Sequence, residues 1–328
     1  MEEIAPGIFM IHVPLPHNPL RELNAYLLRG KPGEKDLLVD LGFNLDECED
    51  ALRAALAEVG GGAGFDIVLT HLHIDHAGLL PRFLTRDRLV YSGAIPGPML
   101  RLWEEMSDPE SGLQFLTKNG VPPEMLKAGR VPREFRTDWK EILARGQFRE
   151  LREGRLLACG GYEWRCLETD GHCDGHICLY EPNARLLIAG DHVLGHISPQ
   201  ISCYEVGSAS SLNKYLHSLD KVAALEVRLV LPGHREPLTD CRARVAELQT
   251  HHMKRLEEIR RILSRGPQTG LAVTEQMTWA INPDSDRAFL MQQRFFALGE
   301  TLAHINYLIE TGTAEMTEKG GLLYYGLK

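Results

Sequence analysis

Residues Val68 to Gly78 read VLTHLHIDHAG, which places His71, His73, Asp75 and His76 almost side by side. Four titratable groups this close are costly to bury unless something binds them. Imidazole at positions 71 and 73 suits a borderline transition metal such as Zn²⁺, Fe²⁺ or Mn²⁺. If the preceding strand continues, these two side chains project to one side. Asp75 and His76 then fall in the following turn, where they can face a second ion. Three distant segments each end an apolar strand in another ligand type: His172 in ETDGHCDGH, Asp191 in LLIAGDH and His234 in LVLPGH. Strand ends are rigid mounts, as a preorganised metal centre needs.

The elements that must position these residues are legible around them. GIFMIHVPL, NAYLLRG and KDLLVDLG read as short strands separated by Pro, Gly and Asn. NLDECEDALRAALAEVG has helical spacing and ends at Gly60, and FDIVLTH is a continuous apolar strand that delivers the cluster. HAGLLPRFL reads as a helix and RLVYSG as a strand. From about 94 to 151 the texture shifts to short helices broken by Pro and Gly, expected to be a helical insertion. Strands resume in RLLACGGYEWRCLETDGH, HICLYEPNARLLIAGDH and VRLVLPGH, with a helix near 210–225 between the last two. From Asp240 the chain turns helical and closes on a Gly-turned hairpin, like a small winged-helix module. The expected division is a catalytic domain over 1–239 and a C-terminal domain over 240–328.

With these segments in this order, the stretch from about Ile4 to Arg235 resembles the metallo-β-lactamase fold superfamily. The resemblance implies an α/β fold, a four-layer αββα sandwich carrying the helical insertion and the mainly helical, winged-helix-like C-terminal domain. It also implies one metal on His71, His73 and His172 and a second on Asp75, His76 and His234, with Asp191 bridging. Two divalent cations are expected, zinc first, with iron or manganese as alternatives. Such cations, about 3.5–4 Å apart, can share a hydroxide that attacks an ester, thioester or lactone. Asp75, a ligand with a spare oxygen, is the candidate to relay the proton. His73 stands where flavodiiron relatives carry glutamate, and Asp191 fills a position that true zinc β-lactamases leave without an aspartate. Both features argue for a hydrolase outside those branches. The softer signals HHMKRLEEI and AHINYLIETG resemble the β-lactamase-like protein 2 branch and bacterial glyoxylase-type hydrolases.

Beside the ligand set stand weaker candidates. Asp40, at a strand end, could orient a ligand histidine or merely cap a turn. His176 is expected to support the site rather than bind metal, and Cys173 to pack in the interior, pointing away from the ligand His172. The loop after Asp191 carries His192, His196, Ser198, Gln200 and Tyr204. His196 is the first choice there for substrate contact or acid catalysis. On the helix from Asp240, residues His251, His252, Lys254, Arg255, Arg260 and Arg261 read as a solvated face rather than an anion site. Trp103, Met106, Phe115 and Trp139 of the insertion would cap the site.

Composition narrows the functions further. The chain has 328 residues with a net charge of −9, which argues against wholesale wrapping of nucleic acid. A small-molecule substrate is therefore expected. An RNA phosphodiesterase is the alternative kept open by Lys127, Arg130, Arg133, Arg136 and Lys140, and a mononuclear iron dioxygenase is a third reading. Seven scattered cysteines read as reduced thiols. No apolar run is long enough to span a bilayer, no signal-peptide pattern is present, and a cytoplasmic location is the default expectation. The C-terminal segment is expected to brace the catalytic domain or to form a homodimer interface.

Overall fold

The computed structural model describes residues 1–60, 64–95, 111–122, 125–126, 139–203, 206, 209–279 and 287–328. Two sheets form the centre. The first runs in the order β1 (Glu2–Ala5), β2 (Ile8–Pro14), β3 (Glu22–Leu28), β4 (Asp36–Val39), β5 (Phe65–Leu69), β6 (Leu89–Ser92) and β7 (Gln147–Glu150). It is antiparallel up to β4 and parallel from β4 to β7. The second has the order β12 (Leu229–Pro232), β11 (Leu186–Gly190), β10 (Ile177–Glu181), β9 (Tyr162–Glu168) and β8 (Leu156–Cys159).

Alternation along the strands explains the layers. Ile8, Met10, Tyr26, Leu28, Val39 and Val68 on one sheet meet Trp164, Cys166, Ile177, Leu179, Ile188 and Leu231 on the other. The opposite face of the first sheet, with Ile11, Leu27, Leu38 and Ile67, is covered by Leu52 of α1 (Asp46–Glu58), by α2 (Ile74–Ala77) and α3 (Leu80–Phe83), and by Trp139 and Ile142 of α5 (Trp139–Arg145). The second sheet's outer face packs on α6 (Ser211–Ala223), α7 (Cys241–Leu263), α8 (Gly270–Gln276) and α9 (Arg287–Glu310). The result is the expected αββα sandwich. Each fully buried aliphatic side chain in these layers contributes about 1.5–3 kcal/mol.

Caps set the long helices. Ser210 accepts from the Asn213 amide at the start of α6, and Asp240 accepts from the Ala243 amide at the start of α7. The hairpin of β13 (Ala314–Lys319) and β14 (Leu322–Leu327) closes the chain.

The insertion differs from expectation in three ways. Residues 147–150, expected as its tail, form β7, paired in parallel with β6. Trp139 does not cap the site but is buried under the first sheet. Phe115, on α4 (Ser111–Lys118), packs against the cluster that holds the C-terminal helices, and Lys118 pairs with Glu318 of the hairpin. Trp103, Met106, Lys127, Arg130, Arg133 and Arg136 lie outside the described residues, and Lys140 is exposed.

The face expected to be solvated on α7 is split. Lys254, Arg260 and Arg261 are exposed, but His252 and Arg255 are buried. The Arg255 guanidinium stacks 3.9 Å from the centre of the Trp279 ring and pairs with Glu258 at 3.0 Å and Glu300 at 3.5 Å. No helix among the described residues is long and apolar enough to cross a membrane.

Candidate metal centre

Five strand ends meet at one place. Asp40 follows β4, the 71–76 cluster follows β5, His172 follows β9, Asp191 follows β11 and His234 follows β12. The β5 strand stops at Leu69, so His71 and His73 do not share a side by strand alternation. They lie in an irregular link, and Asp75 and His76 belong to the single turn of α2. The cluster still converges, because that turn folds Asp75 and His76 back toward the link.

All seven expected ligands are together. His73 Nδ1 lies 2.8 Å from His172 Nε2, and the His71 ring centre is 4.6 Å from that of His73. On the other side, His234 Nε2 is 3.4 Å from Asp75 Oδ2. Asp191 stands between: its Oδ1 is 3.4 Å from His76 Nε2 and 3.6 Å from His234 Nε2, and its Oδ2 is 3.7 Å from His172 Nε2.

The hydrogen bonds around this group fix which nitrogen of each imidazole is bare. His234 Nδ1–H donates to the Glu22 carbonyl at 2.8 Å, and His172 Nδ1–H to the Gln200 carbonyl at 2.7 Å. His76 Nδ1–H donates to Asp40 Oδ2 at 2.8 Å. The Thr70 hydroxyl gives its proton to Asp40 Oδ2 at 2.7 Å, so at 3.1 Å it accepts from His71 Nδ1–H. In the neutral form of each of these four rings Nε2 is the lone pair. The Nε2 atoms of His71, His76 and His234, with Asp191 Oδ1, are buried and have no hydrogen-bond partner. Burying that many acceptors unpaired is unfavourable by several kcal/mol unless a cation joins them.

The donor set suits one. Donor atoms of His71, His76 and Asp191 lie within 4.8 Å of one another, as do those of Asp75, His76 and His234, and those of His71, His73 and Cys173. Imidazole and carboxylate together fit divalent ions such as zinc, iron or manganese. Glycine keeps the walls close: a Cβ on Gly233 would stand 2.8 Å from both Asp191 Oδ1 and His76 Cε1.

The electrostatics divide in the same way. Burial drives His71 and His73 down, aided by neighbouring imidazoles, and His73 falls to about 3. Burial is the largest influence on His76 and His234 and works to lower both. The carboxylates together, Asp191, Asp40 and Asp75 around His76 and Asp191 with Asp75 around His234, nevertheless hold them above the ordinary range. Burial works to raise Asp191, and His234 and His76 hold it well below the usual carboxylate range.

Asp40 proves to be an orienting group rather than a turn cap. Its carboxylate accepts from the Thr70 amide and hydroxyl and from His76, and its backbone takes a φ of 60°, a conformation non-glycine residues rarely adopt. Asp40→Ala is expected to weaken metal binding by about 10–100-fold with the fold retained, measured by competition against a chelator. Unchanged affinity would remove Asp40 from the centre.

His176 supports, as expected: its Nε2 accepts from the Asp191 amide at 3.1 Å, and its Nδ1–H donates to the Thr169 hydroxyl at 2.8 Å. Cys173 departs from expectation. Residues 170–175 curl rather than extend, so alternation fails there and Cys173 is half-buried beside His71 and His73. His192 is no substrate wall; it is fully buried, its ring 5.2 Å from that of Tyr215. His196 is exposed on the loop after Asp191, Ser198 is partly buried, and Tyr204 lies outside the described residues. Gln200, expected in the substrate wall, is structural instead. Its carbonyl orients His172, and its amide donates to the Phe296 carbonyl of α9 at 2.8 Å. No side-chain pattern could announce a role carried by a backbone oxygen.

Comparison with known proteins decides the family. The profile of the Metallo-beta-lactamase superfamily matches residues 19–234. The chain belongs to the metallo-β-lactamase superfamily. A second profile, the metallo-beta-lactamase-like C-terminal domain, matches residues 256–326. A probable metallo-hydrolase of Bacillus subtilis is 27% identical over 327 residues, 97% of each chain. An acyl-coenzyme A thioesterase of Gallus gallus is 29% identical over 221 residues, covering 64% of this chain and 72% of that one. The crystal structure of a metallo-beta-lactamase family protein from Thermus thermophilus superposes with a TM-score of 0.74 at 30% identity, covering 99% of this chain and 100% of that one. With these relatives, this metallo-β-lactamase superfamily member is a metallo-hydrolase.

Proposed function

We propose that the chain is a two-metal thioesterase that hydrolyses a small acyl thioester. The observation that carries the metal reading is the set of bare, buried Nε2 atoms around the unpartnered Asp191 oxygen. His71, His73 and His172 would hold one divalent ion and Asp75, His76 and His234 the other, with Asp191 between them; zinc is the first choice. Two cations held there supply Lewis acidity, acidifying water and polarising the acyl oxygen.

The chain's own residues do the rest. Asp40, Thr70, the Glu22 carbonyl and the Gln200 carbonyl hold the imidazoles in register. Water adds to the thioester carbonyl carbon, the C–S bond breaks, and a carboxylic acid and a thiol form. Asp75, whose Oδ2 faces His234, takes the proton from the attacking water and passes it to the leaving sulfur. His196, exposed at the loop after Asp191, contacts the substrate. The thioester reading is supported by two relatives. These are the Gallus gallus acyl-coenzyme A thioesterase and, at 22% identity, an atrochrysone carboxyl ACP thioesterase of Aspergillus novofumigatus. The three C-terminal helices and hairpin, in winged-helix fashion, brace the second sheet and the loop at Gln200.

A panel of acyl-coenzyme A thioesters, lactones, phosphodiesters and single-stranded RNA, assayed with oxygen uptake in parallel, tests the reading. Thioesters are expected to be turned over, with phosphodiesters and RNA left intact. Steep salt dependence with RNA cleavage would favour a polyanionic substrate instead, and oxygen consumption would favour the iron oxygenase.

A further inference from the structure

We propose that Cys173 donates its sulfur to the metal subsite of His71 and His73. The inference rests on the reading that these histidines hold a metal, and it adds a ligand of a different chemical kind. Of the seven cysteines, Cys173 is the one whose sulfur joins a group of metal-type donors among the described residues, within 4.8 Å of the donor atoms of His71 and His73. Other thiols spend their sulfur on the backbone: Cys48 donates to the Pro14 carbonyl, Cys159 to that of Leu28 and Cys178 to that of Ala189.

The placement follows from the loop. Gly171 and Gly175 take φ values of 137° and 78°, and Asp170 Oδ1 accepts from the Gly175 amide at 2.8 Å. That curl brings residue 173 back toward the cluster instead of letting it alternate away from His172. The second observation is His71, which is 1% exposed and whose Nε2 has no partner. Binding forms a sulfur–metal bond and releases the thiol proton to solvent. A thiolate here biases the subsite toward zinc, cobalt or cadmium and against manganese or magnesium, which prefer oxygen.

Cobalt(II) is the probe. The metal-stripped full-length chain is loaded with Co²⁺ and its absorption recorded, alongside Cys173→Ser and Cys173→Ala. The wild type is expected to show a sulfur-to-cobalt charge-transfer band in the near ultraviolet. Both variants should lose that band and keep the visible d–d bands of cobalt on nitrogen and oxygen. Two variants guard against a folding artefact, and circular dichroism checks each. Visible bands without the charge-transfer band in the wild type overturn the proposal, as does a band that persists in both variants. Failure of the wild type to take up cobalt would overturn the metal reading itself, and the sulfur ligand with it.

Discussion

Asp191→Ala is expected to lower kcat by about a thousandfold while leaving the circular dichroism spectrum intact. The side chain faces both halves of the cluster, with Oδ1 toward His76 and His234 and Oδ2 toward His172. Removing it leaves two groups of imidazoles without the carboxylate that links them. A loss of about 4 kcal/mol of transition-state stabilisation, the scale of Lewis-acid assistance, corresponds to about three decades in rate. The fold should survive because residue 191 is anchored through its amide to His176, not through its carboxylate. The decisive measurement pairs kcat with metal content per chain. Full activity in Asp191→Ala would end the two-metal reading.

The second large effect is acid sensitivity seated in the C-terminal helices, away from the metal cluster. His304 Nδ1–H donates to the Glu300 carbonyl at 2.7 Å, so its Nε2 accepts, and at 3.0 Å His252 Nδ1–H donates to it. Both rings are fully buried between α7 and α9 and neutral. Burial, aided by the facing histidine, pushes His252 down to about 2; burial likewise pushes His304 to about 4, against the pull of Glu300. The other titratable or charged groups facing them are His251, Arg255 and Glu300. Since an unfolded histidine titrates near 6.5, acid favours the unfolded chain. The stability these rings contribute is complete above about pH 6.5 and is lost as pH falls toward about 4. The cost is about 1.4 kcal/mol per pH unit for each histidine in that window. Melting temperature should therefore drop more steeply between pH 7 and 5 in the wild type than in a His252→Phe/His304→Leu variant. Equal slopes would relocate the acid sensitivity to other groups.

How much of this is legible in the sequence depends on what carries each role. The metal-type side chains are visible because ligand chemistry confines the choice to His and Asp, and because each follows an apolar strand. The sandwich is visible through short continuous apolar runs bounded by turn residues, as in HICLYEPNARLLIAGDH. Short elements escape. Strand β1, four residues with exposed glutamates, has little apolar signal, and β7, QFRE, is a strand only because β6 lies beside it. Alternation misplaces Cys173 because the glycines of its loop bend the chain. A solvated face misplaces His252 and Arg255 because α7, packed among α6, α8, α9 and strand β14, buries more than one stripe. For Asp40, nothing local distinguishes a capping carboxylate from an orienting one; Thr70 and His76, both distant in the chain, settle it.

One tether has a consequence for biosynthesis. Asn24 donates to the Pro232 and Arg235 carbonyls at 3.1 and 2.6 Å, Tyr26 to Pro232 at 2.7 Å, and His234 to Glu22. The His234 side of the cluster is thus clamped by contacts spanning more than two hundred residues, and loop closure on that scale comes late. On the ribosome, the N-terminal hairpin of β2 and β3 must wait for β12 to emerge before its histidine can be seated. Metal capture by Asp75, His76 and His234 would accordingly report that the first sheet has docked on β12, and a chain truncated before Gly233 would carry the 71–76 cluster without the partner that completes it.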